Sequence, residues 1–183
     1  MQVALCVIFA GTVGLAQVVV VHHRHASMAA TSSSRPLGPV KRMNLPTGWV
    51  IRSHDKDPVF LFDQEPDRPE QRGRTLTGKW QRLPQAIPID EYLQTSQLAD
   101  PEVRVVSIDG KAQQEIQMGD GPGILMATTR STEMELPAIK WIACTIRPDG
   151  TAITLELDCP GDSDPAADKQ VLLDSAQSME FRD

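Results

Sequence analysis

The chain has 183 residues, 40% of them hydrophobic and 23% charged, with 24 Asp and Glu against 18 Lys and Arg for a formal net charge of −6. Proteins hold nucleic acid through Lys- and Arg-rich faces and stack bases on aromatic side chains. The acid excess and the 4% aromatic content therefore exclude a nucleic-acid binder.

Val3–Val21 is an apolar run of 19 positions without a charged side chain. As a helix it would rise about 28 Å at ~1.5 Å per residue, close to the roughly 30 Å hydrocarbon thickness of a bilayer. A secretory signal has a basic start, an apolar core of about 7–15 residues and a small-residue cleavage site. Here only Met1 and Gln2 precede the run, and the triplet Ser27-Met28-Ala29 lies well past it. The preferred reading is a retained membrane anchor over 1–21, formed by one N-terminal apolar helix. A cleaved signal peptide comes next, and a buried core helix last. Cys6 lies inside the run as a small apolar filler rather than a lipidation site.

His22–Pro39 is small, polar and Pro-punctuated, which predicts a flexible linker over 22–44. His22, His23 and His25 have no Cys, Asp or Glu beside them, so they read as polar flank rather than a metal site. The first basic residues, Arg24, Arg35, Lys41 and Arg42, all follow the apolar run, and taken alone the positive-inside rule would keep the rest of the chain in the cytoplasm. Every acidic residue lies at or beyond Asp55.

Residues 45–183 read as one domain. Thr47–Ser53 and Val59–Phe62 are strands about a turn at His54–Pro58, and Asp63–Gly73 is a charged loop. Arg74–Leu83 alternates as a half-buried strand does. Ile89–Leu98 is a short helix with Asp90 and Glu91 in its first turn, where the helix dipole favours anions. Val103–Ile108 and Lys111–Met118 flank Asp109-Gly110, a hairpin signal because both turn residues need positive φ. Gly119–Gly123 turns the chain into a strand at Ile124–Thr129.

Ile139–Arg147 and Thr151–Asp158 flank a second such dipeptide, Asp149-Gly150. Taken as a two-residue turn, it sets Ile146 opposite Ile153, Cys144 opposite Leu155 and Ile142 opposite Leu157, a wholly apolar face. That register leaves Cys144 and Cys159 about 13 Å apart on one face at ~3.3 Å per residue. A disulfide is then out of reach, and both are expected as free, buried thiols. Asp164-Pro165 opens a final helix with an N-cap residue followed by Pro at its first position. Leu172, Ala176 and Met179 form its apolar stripe, and Phe181 follows.

Three features carry a resemblance: Pro46-Thr47-Gly48-Trp49 at the start of the first strand, Ile87–Leu98 as the first helix, and Ile153–Leu157 with an acidic loop and Lys169–Phe181 at the close. In this order they resemble the PsbP-like fold of the photosystem extrinsic protein, a Ran-binding protein and many bacterial domains. The resemblance covers about Leu45–Asp183. It implies an α+β fold, an antiparallel sheet packed between helices as an α/β/α sandwich, and non-catalytic docking onto larger assemblies. It also points the domain out of the cytoplasm, the outward side being the expectation. No site residue carries over.

The chemistry-bearing residues support the same reading. His54 is the only histidine of the domain, so a Ser–His or Cys–His pair has a single exposed-turn candidate for its base. Gly119–Gly123 lacks the Lys-Ser/Thr of a phosphate loop. Asp90 and Glu91 diverge by about 100° on a helix and do not share one substrate. Asp158, Asp162, Asp164 and Asp168 crowd a Pro-Gly loop as weak metal candidates, but their spacing does not match a calcium loop and helix-capping acids are preferred. Trp141 falls on the polar-mixed face of its strand; the PsbP-like layout, with helices over both faces, implies that it is buried, and it marks a partner surface only if it is exposed. The expectation is a membrane-tethered, non-enzymatic interaction module with a protein partner, bound to the membrane through residues 3–21, with no cofactor. The alternatives are a secreted or anchored ligand- or ion-binding domain and an enzyme accessory domain.

Overall fold

A computed structural model of the chain describes residues 28–29, 38–46, 48–52, 59–64, 73–85, 87–130 and 138–182. The expected apolar helix over 3–21, Cys6, the histidines His22, His23 and His25, and His54 lie outside the described residues. Among the described residues no helix is long and apolar enough to cross a membrane.

The centre of the molecule is an eight-stranded antiparallel sheet. Its strands are β4 (Trp49–Arg52), β5 (Val59–Gln64), β6 (Thr75–Arg82), β7 (Val103–Val106), β8 (Gln114–Met118), β9 (Gly121–Arg130), β10 (Ile139–Ile146) and β11 (Thr151–Asp158). The spatial order is β4-β5-β6-β11-β10-β9-β7, and β8 pairs with β9 beside β7. Helix α1 (Ile89–Ser96) lies on one face and α2 (Pro165–Gln177) on the other. This is the expected α+β architecture.

The face under α2 is sealed by apolar side chains. Leu76, Leu125, Ala127, Ala143, Ile153, Leu155 and Leu157 point into it from β6, β9, β10 and β11, and all are fully buried. Leu172, Ala176 and Met179 of α2 and its C-terminal flank close over them, as their spacing predicts. Each such leucine is worth about 1.5–3 kcal/mol relative to exposure. The helix begins as expected: Asp164 Oδ1 accepts from the Ala166 amide at 3.0 Å, with Pro165 at the first helical position.

The opposite face carries a smaller cluster. Tyr92 and Leu93 of α1 cover Met126, Ile142, Cys144 and Ala152. With only eight residues, α1 cannot span the whole face.

Three expectations change. The hairpin between β10 and β11 is shifted by one residue: Ile146 pairs with Ala152, Cys144 with Thr154 and Ile142 with Glu156. The cause is Pro148, whose fixed φ suits the second position of a type I turn. The turn is then Arg147–Gly150, closed by the Gly150 amide on the Arg147 carbonyl at 2.9 Å, with Gly150 alone at φ +81°. This is a three-residue connection with a bulge, not a two-residue one. The shift turns Glu156 onto the face of Ile142 and sets Trp141 opposite Leu157.

The Asp109-Gly110 turn does form, with φ of +50° and +79° and Ile108 bridged to Lys111. It does not pair the flanking strands. β7 and β8 lie end to end along β9, β7 against Ala127–Arg130 and β8 against Gly121–Leu125. The turn is a small loop within one interrupted edge.

Packed structure also reaches back into the expected linker over 22–44. β1 (Met28–Ala29) pairs with β3 (Leu45–Pro46), and β2 (Val40–Arg42) pairs with β12 (Glu180–Phe181). Val40 and Met43 are buried in the main core, so the folded unit begins ahead of Leu45. Apolar residues among Lys41, Arg42 and Asn44 conceal this in a polar-looking stretch.

Candidate functional site

Among the described residues, the half of the face that α1 leaves uncovered holds a lattice of polar side chains. Threading by the observed register puts Thr75, Thr77 and Lys79 of β6, Thr154, Glu156 and Asp158 of β11, Lys140 of β10 and Thr128 of β9 on this face. At its centre Glu156 is only 3% exposed. Lys79 Nζ donates to its Oε1 at 2.5 Å and Lys140 Nζ to its Oε2 at 3.2 Å. Gln97, just past α1, adds its amide to Oε1 at 3.2 Å. Lys140 also meets Asp158 Oδ1 at 3.3 Å.

These partners decide the ionisation. Burial disfavours the Glu156 carboxylate, but the hydrogen bond and charge of Lys79, then those of Lys140, outweigh it and hold its pKa below the ordinary value. Burial likewise opposes the Lys140 ammonium, and the charges of Asp158 and Glu156 together raise its pKa. Both groups are fixed in their charged forms.

Beside this row lies a cavity of about 400 Å³. Its lining includes Lys79, Lys140 and Arg130 as cations and Glu156, Asp158 and Asp100 as anions, with Thr128 and Ile142. Arg130 is engaged by Asp100 at 2.5 Å and Glu102 at 3.2 Å. A second, shallower groove of about 710 Å³ is lined by Ile87, Ile89, Ile116, Ile124 and Ile146 where α1 meets β8–β10.

The residues singled out from sequence do not converge. Asp164 caps α2, while Asp168 is 1% exposed, paired with Arg74 and bonded by the Ser163 hydroxyl. Asp158 belongs to the polar row and Asp162 is exposed. Among the described residues no group of three or more His, Cys, Asp or Glu gathers as a metal site. Asp90 and Glu91 are exposed on the first turn of α1. Trp141 is 5% exposed within the α2-side core, so it offers no partner surface.

Cys144 and Cys159 are free and buried. What separates them is the sheet itself: Cys144 packs in the α1-side cluster and Cys159 in the α2-side core. Burial pushes the Cys144 thiol up to about 12 against a weak opposing bond from Thr154, and pushes Cys159 up further, with Asp168 adding to it.

The row Lys79–Glu156–Lys140 was not legible as a site before the register was known. Its one signal is the pair of single charges, Lys79 and Glu156, each mid-strand among Thr, Gly, Leu and Trp.

No protein-family model matches the sequence. No curated protein matches it either. Solved structures do match. LpqN of Mycobacterium tuberculosis, involved in cell envelope biogenesis, superposes with a TM-score of 0.59 at 12% identity, over 86% of this chain and 91% of that one. The cyanobacterial PsbP (CyanoP) of Synechocystis sp. PCC 6803 superposes with a TM-score of 0.52 at 14% identity, over 86% of this chain and 94% of that one. With its central antiparallel sheet between α1 and α2 and its near-complete coverage of both structures, the chain has the PsbP-like fold.

Proposed function

We propose that the chain is a membrane-tethered, non-catalytic interaction module of the cell envelope, holding or supporting a protein assembly on its outer side. The observation that carries this reading is the unequal treatment of the two sheet faces. One is sealed by α2, while the other presents a charge-paired lattice beside α1. Fixed charges of both signs give specificity to a docking surface more than raw affinity. The likeness to an envelope-biogenesis protein supports the setting, and the apolar run Val3–Val21 supports the tether.

The test is crosslinking in intact membranes followed by mass spectrometry, with wild type and Lys79→Glu/Lys140→Glu in parallel. A discrete partner recovered with wild type and lost in the variant is expected. Recovery of the protein alone, or of the same partner from both, overturns the docking role. Protease digestion of spheroplasts checks the side: an outward domain is cut without lysis.

A second reading, a ligand-binding domain, is favoured by the isoleucine-lined groove of about 710 Å³.

A further inference from the structure

Neighbouring positions of β11 have opposite characters. Leu155 and Leu157 are fully buried and apolar on the α2 face, whereas Glu156 between them is 3% exposed and ionised on the other. An ion pair with a buried carboxylate is often no more stabilising than a well-packed apolar replacement. Stability of the fold therefore does not call for a carboxylate here, nor for the two lysines that converge on it. What the carboxylate does is form the charged floor of the 400 Å³ cavity.

The lining of that cavity is balanced in sign, three cations against three carboxylates. Arg130 is committed to Asp100 and Glu102. The other groups are not used up. An ammonium has three N–H donors. Among the described residues Lys79 gives one, to Glu156, and its side chain is 45% exposed. Lys140 gives two, to Glu156 and Asp158. Among the described residues Asp158 accepts from Lys140 alone, and its side chain is 51% exposed. Spare positive donors and spare negative acceptors thus face one small space. A ligand with a single charge would leave lining charge of its own sign unanswered, at an energetic cost.

We propose that this cavity binds a small zwitterion of the amino-acid class, its carboxylate received by Lys79 and Lys140 and its ammonium by Asp158. Glu156 positions the two lysines, tying one to each of its oxygens. Thr128, 3% exposed, lies on the cavity wall. The proposal goes beyond the docking role but shares Lys79 and Lys140 with it; a failed titration beside a partner still lost in Lys79→Glu/Lys140→Glu removes the ligand and keeps the docking reading.

The test is isothermal titration of the full-length chain with the proteinogenic amino acids and with phosphoethanolamine. Acetate, ethylamine and glycerol serve as probes that carry one feature only. Saturable binding of a zwitterion is expected, with none of the three single-feature probes. Asp158→Asn and Lys79→Met should each weaken it about tenfold, the effect of losing one charge-assisted hydrogen bond. Both side chains are half exposed, and Asp158→Asn is isosteric, so that variant decides if Lys79→Met fails to fold. Binding of phosphoethanolamine with no amino acid bound overturns the amino-acid assignment. Absence of all zwitterion binding, equal binding in Asp158→Asn, or equal binding of acetate or glycerol overturns the proposal.

Discussion

Gly38 lies directly against the indole of Trp80: a methyl group on its α-carbon would stand 2.4 Å from Cε2 and Cζ2 of the ring. Gly38 also has a φ of +61°, which L side chains rarely adopt. The contact brings the segment ahead of β2 down onto β6.

Gly38→Ala is therefore expected to lose about 2–4 kcal/mol. Left-handed strain and overpacking of the ring add, and the stiffer unfolded chain returns less than about 1 kcal/mol. A urea unfolding curve checks this through a lower midpoint with an unchanged slope. A midpoint equal to wild type would mean that this segment does not pack in solution.

Asp168→Ala should cost about 3 kcal/mol, because it removes the carboxylate paired with the Arg74 guanidinium at 2.5 Å, leaving the neutral Gln64 oxygen at 2.9 Å, and removes one of the two acceptors of the Ser163 hydroxyl. Replacing both charges, Arg74→Met with Asp168→Leu, should recover most of the loss. A double-mutant cycle in guanidinium measures the coupling; additive losses would contradict the pairing.

Stability should depend on pH through Glu156. Its folded-state pKa is depressed below the ordinary 4.5, so its contribution is complete above the unfolded value and is lost as pH falls through the folded one. The melting-temperature gap between wild type and Glu156→Gln should stay constant from about pH 7 to 5 and close at more acidic pH. Lys140 has the opposite sign. Its folded pKa is raised above 10.5, so its contribution persists at neutral pH and disappears only as alkali passes that raised value.

Cys144 and Cys159 should resist iodoacetamide at pH 8 in the native protein and react fully in urea, as read by peptide mapping. Burial raises both thiols far above that pH, Cys144 to about 12. Rapid native labelling of either would show that its cluster opens.

Much of the fold was legible in the sequence. The N-cap at Asp164, the stripe Leu172–Ala176–Met179 and the helix after Ile89 are set by local chemistry and stand where their residues put them. The failures have local causes as well. A single proline, Pro148, moved the β10–β11 register by one, and with it every facing pair. Because the period of a strand is two, that step alone turned Glu156 from an unremarkable surface acid into the floor of a cavity. The site was hidden for this reason: Lys79, Lys140 and Glu156 come from three strands, and only the register brings them together. Cys144 and Cys159 were rightly read as unpaired, but on a distance argument along one face, when they lie on opposite faces.

The pairing of β2 with β12 has a mechanical consequence. The Arg182 amide bonds the Pro39 carbonyl at 2.9 Å, and Lys41 and Arg42 flank Glu180 at 3.9 and 4.0 Å. Tension arriving along the backbone from ahead of β1 is thus borne first by the β1–β3 pair and then by this short ladder, with Val40 and Met43 as its buried footing. The eight-stranded sheet carries load only after the ladder has peeled away, so a tug at the amino end spends itself on the carboxyl end and leaves the Lys79–Glu156–Lys140 lattice undisturbed.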